Sequence, residues 1–413
     1  MSRRGARRRQ TRLLSAMTRG VAVHGYCDRR FRRVRGEFAR GFGELAADPD
    51  RGEIGAALAI TVGGRIVIDV WGGHADPGRR RPWQRDTLAN VYSTTKGIVA
   101  IAALRLIDQG RLDLDAPVAR YWPEFAQRDK GGLPVRLLLN HRAGLAAVRA
   151  PLDDTAIYDW ATMTGALAAE EPWWRPGERH GYHAFTYGWL VGEIIRRLTG
   201  QTPGRYVREA LAGPLELDLH IGLAPAHDRR TAALTPLPLV GPPAELDMLL
   251  AWIRDHPHSA TAKAFRNPPV LLAPGVVNSR AWRAAEIPAA NAHSTARSLA
   301  RLYGALAGGG TCDGVWVLGA ESIARASHEE SQGLDEVLRV STRFSCGFML
   351  SQPHARFGPG PRSFGHPGAG GSLGFADPDA GVGFGYTTNR MGPYILMDPR
   401  PTAFIDTLYE CLG

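Results

Sequence analysis

β-rich runs lie at both ends of this chain, with helical material between them. Near the N-terminus, Ile54–Thr61 and Arg65–Val70 are split by Gly63-Gly64, the signature of a two-residue hairpin. Trp71-Gly72-Gly73 then reads as a break into a loop rich in Pro, Gly and Arg. Four more strand signals come late: Phe344–Leu350, Ser363–His366, Ser372–Ala376 and Val382–Thr388. Strands so far apart in sequence satisfy their backbones most simply in one sheet. The predicted class is therefore α+β, an antiparallel sheet built from N- and C-terminal segments, flanked by helices, with a largely helical insert. No internal repeat or low-complexity linker divides the chain. Residues 21–413 are expected to be a single domain, with an α/β part at about 21–90 and 340–413 and a helical part at about 97–340.

Several helices are legible. Val21 to about Phe42 has Phe31, Val34, Phe38 and Phe42 at helical spacing. Val135–Leu145 reads as a short helix closed by Gly144, and residues 151–176 as helical until the turn at Trp173, Trp174 and Pro176-Gly177. Trp189 to about Thr199 ends at Gly200, Ser294–Leu306 ends in three glycines, and a last helix runs from about Thr402 to Cys411. The Pro-rich piece from about Leu234 to Gly275 reads as a mobile insertion near the site.

Charge is distributed unevenly along the chain. The net charge is +10, yet residues 1–40 hold 13 Arg against Asp28 and Glu37. The remainder, with 37 basic and 38 acidic residues, is close to neutral. That excludes a nucleic-acid role for the folded body. Residues 1–20 are expected to be a disordered basic arm, with contact to acidic lipid or RNA as the lesser alternative. They lack a secretory h-region, and no run reaches the roughly 18 apolar residues of a membrane span, so a cytoplasmic protein is expected. Cysteines 27, 312, 346 and 411 form no Cys-x-x-Cys pair, and His256-Pro257-His258 is too isolated to be a metal site. No metal and no cofactor are expected.

The stretch Val91-Tyr92-Ser93-Thr94-Thr95-Lys96-Gly97 opens an Ala-rich apolar run ending near Gly110. Ser93 is a good helix N-cap residue. Ser93 and Lys96 are three apart and share a helix face. A Ser hydroxyl needs a base to become a nucleophile, and a buried Lys can be that base whereas Arg cannot. The chain writes its positive charge almost wholly as Arg and has only three lysines, at 96, 130 and 263. One of the three sits on the Ser93 face. Taken alone, Ser-x-x-Lys also fits a plain helix cap with a solvated Lys.

Two further stretches follow in order: Tyr182-His183-Ala184, and His366-Pro367-Gly368-Ala369-Gly370-Gly371-Ser372. Together the three resemble the serine β-lactamase and penicillin-binding superfamily, which has Ser-x-x-Lys, then Tyr-x-Asn, then Lys-Thr-Gly at a sheet edge. The likeness is greatest to family VIII carboxylesterases and class C β-lactamases, and runs from about Val21 to the C-terminus. Trp71-Gly72-Gly73, Leu139–Leu145 and Gly374–Pro378 add to it.

The resemblance implies an acyl-enzyme on Ser93, with Lys96 sharing or taking its proton. It makes Tyr182 the second acid/base, its phenolate favoured by Lys96. The backbone N–H groups of Ser93 and Ala369 become the oxyanion hole. His366 takes the place of the third-motif Lys, and Gly368, Gly370 and Gly371 let substrate approach the backbone. Trp173 and Trp174 could line a pocket for an apolar acyl group, although core packing is the commoner fate of Trp.

The departures point away from β-lactams. Ala184 replaces an Asn that would hold an acylamino group, and His366 and Pro367 replace the cation and hydroxyl that would bind the β-lactam carboxylate. The expected activity is serine hydrolysis of short to medium acyl esters. A β-lactamase or D-alanyl peptidase, an acyltransferase and a non-catalytic binding protein are the alternatives. Gly370-Gly371-Ser372-Leu373-Gly374 also fits the Gly-x-Ser-x-Gly elbow of α/β-hydrolases. That fold needs a His after the Ser, and none follows Ser372.

Overall fold

The computed structural model describes residues 21–44, 52–237, 242–352 and 355–413. The basic arm at 1–20 lies outside them. Among the described residues, nine antiparallel strands form the main sheet. They are β1 (Val23–Cys27), β2 (Gly55–Val62), β3 (Arg65–Gly73), β4 (Ser331–Leu334), β5 (Ser341–Phe344), β6 (Met349–Leu350), β7 (Phe364–Pro367), β8 (Leu373–Asp377) and β9 (Val382–Thr388). Their spatial order is β1-β3-β2-β9-β8-β7-β6-β5-β4. The N-terminal hairpin thus pairs with the last strand of the chain, Val62 opposite Val382 and Ala56 opposite Thr388. Gly63 and Gly64 both have positive φ, 55° and 76°, as a tight primed turn demands.

The helices cover both faces. On one face α1 (Arg32–Glu44) and α8 (Pro399–Leu412) pack together, with Phe38 and Phe404 rings 5.8 Å apart and Phe404 edge-on to Tyr386 of β9. On the other, α7 (Ala296–Ala307) lies so close to β9 that a Cβ at Gly383 would meet the Gly304 nitrogen at 2.2 Å, and one at Gly385 the Ala296 carbonyl at 2.1 Å. Beside α7 runs α2 (Thr94–Asp108). Every residue of α2 from Thr94 to Leu104 is buried, which is why its sequence is apolar all round rather than on one stripe. Truncating Leu104 to Ala would cost about 2–5 kcal/mol. The helical insert adds α3 (Trp160–Ala169), α4 (Thr186–Thr199), α5 (Ala244–Asp255) and α6 (Ala260–Arg266).

Several expectations are corrected. The predicted helix from Val21 begins as strand β1, whose Val23–Cys27 pair with β3 across Gly72–Ile68. Asp28 then accepts from the Arg30 N–H and starts the helical part. Trp71-Gly72-Gly73 does not break the strand; it is the paired end of β3. The run Phe344–Leu350 is two strands that turn back on each other, Phe344 opposite Met349. Only Arg136–Leu139 of Val135–Leu145 is helical, and 151–176 holds a 3-10 turn at Ala156–Tyr158 and the helix 160–169, where Asp159 caps the helix by accepting from the Thr162 N–H. The Leu234–Gly275 insertion contains α5 and α6, with residues 238–241 outside the described set.

Candidate active site

The first turn of α2 starts from a strained residue. Tyr92 has φ 42°, a region that a bulky side chain rarely enters. Ser93 follows in helical geometry and makes no side-chain cap. Its predicted capping role fails because the turn supplies backbone acceptors: Thr94, Thr95 and Lys96 N–H groups reach the Val91, Tyr92 and Ser93 carbonyls at 2.9–3.1 Å. The Ser93 hydroxyl is thereby left for chemistry.

Lys96 is 0% exposed. Its Nζ lies 2.7 Å from the Ala184 carbonyl oxygen, 3.0 Å from that of Ala289 and 3.1 Å from Ser93 Oγ. Burial drives its pKa well below the ordinary lysine value. A neutral amine has two N–H bonds and one lone pair. In the neutral form, with its two N–H bonds on the two carbonyls, the amine would turn its lone pair to the Ser93 hydroxyl. Sequence reasoning missed the loop that supplies Ala289. Asn291 shapes it, accepting from the Ile287 N–H and donating to the Trp282 and Ala285 carbonyls at 2.7–2.9 Å. The loop is tied to α2 by the Ala292 N–H, which donates to Thr95 Oγ1 at 2.9 Å.

Tyr182 is set in place by a carboxylate that the sequence did not reveal. Buried Asp335 accepts from the N–H groups of Tyr182, Val337 and Leu338 at 2.8–2.9 Å and from Thr342 Oγ1 at 3.1 Å. Behind it, His141 Nδ1 accepts from the His183 N–H, and His183 Nε2 from the Leu145 N–H. The Leu139–Leu145 segment therefore braces the second motif. Burial raises the Tyr182 pKa above its usual range, with the Ser93 hydroxyl pulling weakly the other way. Lys96 Nζ lies 4.6 Å above the ring centroid. The expected phenolate is thus corrected: burial disfavours it, and the resting Tyr182 is a phenol.

His366, on β7, is 1% exposed and faces Tyr182. Its Nδ1 lies 2.7 Å from the Pro367 carbonyl, which can only accept, so Nδ1 carries the proton. Nε2 then offers its lone pair to Tyr182 Oη, 3.5 Å away. Burial pushes the His366 pKa down to about 3. It is a neutral partner of Tyr182 and supplies no cation.

The glycine turn comes next. Gly371 N–H donates to the Gly368 carbonyl at 3.0 Å and Gly368 N–H to that of Ser372 at 2.7 Å. Ala369 is the exposed tip, and among the described residues neither its N–H nor that of Ser93 meets a backbone acceptor. Packing also requires these glycines. A Cβ at Gly368 would lie 2.2 Å from Ser372 Oγ and from the Val91 carbonyl, and one at Gly370 would lie 2.4 Å from Met391 Sδ. Ser372 is buried and donates to the Val91 carbonyl at 2.8 Å, tying this turn to the Ser93 turn.

Trp173 and Trp174 border a cavity of about 150 Å³ together with Trp252, Arg179, Glu336 and Arg339. Trp173 Nε1 donates to the Ala147 carbonyl, and Trp174 stands edge-on to His183. The Arg339 guanidinium lies 4.3 Å over Trp252, and Glu336 pairs with Arg179 and Arg339. The cavity is therefore aromatic with a charged rim, and α5 brings Trp252 to it. Among the described residues no cluster of three or more His, Cys, Asp or Glu could hold a metal ion. No helix among them is long and apolar enough to cross a membrane.

The family model described as Beta-lactamase matches residues 32–403. The chain belongs to the beta-lactamase family. Its relatives include the esterase/beta-lactamase LipL of Mycobacterium tuberculosis, 38% identical over 386 residues, which cover 92% of this chain and 86% of that protein. A family VIII carboxylesterase crystal structure superposes with a TM-score of 0.83 at 39% identity, covering 94% of this chain and all of that one. A penicillin-binding protein homologue from Caulobacter crescentus gives 0.84 at 39% identity, with the same coverage. This beta-lactamase-family fold accounts for the mixed helix and antiparallel sheet architecture.

Proposed function

We propose that this chain hydrolyses carboxylic esters of short to medium acyl groups through an acyl-enzyme on Ser93. One observation carries the reading: a buried Lys96, its pKa driven well down, whose Nζ lies 2.7 and 3.0 Å from two carbonyl oxygens and 3.1 Å from Ser93 Oγ. The relatives named as esterases support the reaction class.

Lys96 takes the Ser93 proton as Oγ bonds to the ester carbonyl carbon. The Ser93 and Ala369 N–H groups hold the resulting oxyanion, a contribution typically of about 2.7–4 kcal/mol per donor. On collapse the carbon–alkoxide bond breaks, and the alcohol leaves with the Tyr182 proton. Tyr182 recovers a proton from the Lys96 ammonium, which restores the resting phenol and neutral amine. Water then attacks the acyl-enzyme. Tyr182 takes its proton while passing its own to Lys96, and Lys96 returns it to Ser93 Oγ as the acid departs. His366 Nε2 orients the Tyr182 hydroxyl through this exchange.

A second reading, β-lactam hydrolysis, is favoured by the name of the mycobacterial relative. Neutral, buried His366 and Pro367 offer neither the cation nor the hydroxyl expected for a β-lactam carboxylate. The test is turnover of p-nitrophenyl acetate, butyrate and octanoate by the protein and by Ser93→Ala, with a chromogenic cephalosporin alongside. Ester turnover lost in Ser93→Ala, with an acyl adduct on Ser93 by mass spectrometry, is expected. Efficient cephalosporin opening would favour the second reading. Wild-type turnover that survives Ser93→Ala would sink both.

A further inference from the structure

Behind the glycine turn lies a fully buried ion cluster that the mechanism above does not use. Arg400, at the start of α8, is 2% exposed. Each of its five N–H bonds is assigned. Nε and Nη2 grip Asp398 at 2.8 and 2.7 Å. Nη1 reaches Glu53 Oε2 at 3.2 Å and the Arg390 carbonyl at 3.1 Å. The second N–H of Nη2 donates to the Gly370 carbonyl at 2.7 Å. Glu53 is held in turn by the Tyr386 hydroxyl and by Thr388 Oγ1 at 2.8 Å. Four of the five bonds fix the guanidinium, and the fifth grips the turn.

We propose that Arg400, locked by Asp398 and Glu53, is a positioning residue that aims the Ala369 N–H into the oxyanion hole. The inference rests on the Ser93 reading above. Two peptide planes carry the coupling. Arg400 and the Gly392 N–H (3.1 Å) hold the Gly370 carbonyl, and so fix the plane joining residues 370 and 371. The Gly371 N–H of that same plane donates to the Gly368 carbonyl, which fixes the plane joining 368 and 369. The Ala369 N–H belongs to this second plane.

There is little slack beneath the turn. A Cβ at Gly371 would lie 2.7 Å from Arg400 Nη2, and one at Gly392 would lie 2.0 Å from Asp398 Oδ2. Burying a guanidinium with two carboxyl side chains is an expensive way to stabilise a fold, because apolar residues of similar volume often do as well. A planar fork with all donors engaged is instead a means of holding one carbonyl in one place. An oxyanion hole needs that rigidity, since displacement of about 1 Å costs on the order of 100-fold in rate.

The test uses the full chain carrying Arg400→Lys and, as a second variant, Asp398→Asn. Active sites are counted by fluorophosphonate labelling of Ser93 to completion. Per labelled site, kcat is expected to fall about 10- to 100-fold with KM within about 2-fold. Affinity for a boronic acid, whose tetrahedral adduct fills the hole, should weaken by the same factor. Normal kcat per site and normal boronate affinity in both variants, with only fewer sites, would overturn the proposal. Failure of both variants to fold would overturn it too, by assigning the cluster to stability. If the wild type takes no label at Ser93, it is the Ser93 reading that fails, whatever Arg400 does.

Discussion

Two of the three lysines in this chain are buried, and they differ in one bond. Lys96 and Lys130 are 0% and 1% exposed. Both donate to backbone carbonyls. Lys130 has three, those of Gln127, Ala168 and Glu170 at 2.6–2.9 Å. Lys96 has two, and its third direction meets Ser93 Oγ. Their electrostatics diverge accordingly. Burial lowers the Lys130 pKa, but the Glu170 carboxylate opposes it and the value settles at about 8. Lys96 has burial alone, with no carboxylate to oppose it, and its pKa falls well below the ordinary lysine value. One is a staple joining segments of the helical insert, and the other has one direction open to a hydroxyl. Both lysines are buried, and it is that open direction and the lack of a carboxylate that set Lys96 apart.

The largest expected effect comes from breaking that asymmetry. Lys96→Met should lower kcat by about 10²–10⁴ while the protein remains folded. Lys130→Met should leave kcat and KM within about 2-fold and instead lower stability by about 2–5 kcal/mol, since three carbonyls lose their donor. Steady-state kinetics and denaturant unfolding on both variants check the pair. Comparable losses of kcat in the two would erase the distinction.

The pH profile sharpens it. Acylation needs neutral Lys96, so kcat/KM should fall about tenfold per unit as pH drops below the Lys96 pKa. His366 stays neutral down to about pH 3, so it does not supply that limb. An acid limb unchanged in His366→Asn is the expected result.

Stability supplies a smaller effect of defined sign. The folded Lys130 pKa, about 8, is depressed below the unfolded value of roughly 10.4. Between those values the unfolded chain holds a proton that the folded chain has released, so stability rises with pH in that window. The stability deficit of Lys130→Met should therefore widen from pH 8 to 10. A deficit that is constant or narrows would mean Lys130 is not depressed. The smallest effect is expected from Glu170→Gln. It removes the opposing charge and should shift the onset of that window to lower pH, without altering kcat.

Much of this architecture could be read from residues. Gly63-Gly64 marks the hairpin, and residue type and order alone point to Ser93, Lys96, Tyr182 and His366. What escaped was whatever depended on a partner far away in the chain. Val23–Cys27 has helical spacing downstream of it and became a strand only because β3 offered an edge. Ser93 looked like a cap, a local role, until the turn's own carbonyls made a cap unnecessary. Asp335 and Arg400 carry no motif, and their importance lies in which backbone groups they grip.

The sequence by itself determined the strand-bearing ends, the apolar helix that opens at Ser93 and the identity of the groups able to exchange a proton. Those follow from side-chain type and short spacing, which are local properties. Only the tertiary structure decided which of those groups are charged. Burial drives the Lys96 pKa well down, burial keeps Tyr182 a phenol, and a bond to Pro367 sets the His366 tautomer. Protonation depends on solvent access and on the dipoles that surround a group, and segments up to 193 residues apart in the chain bring those dipoles to Lys96.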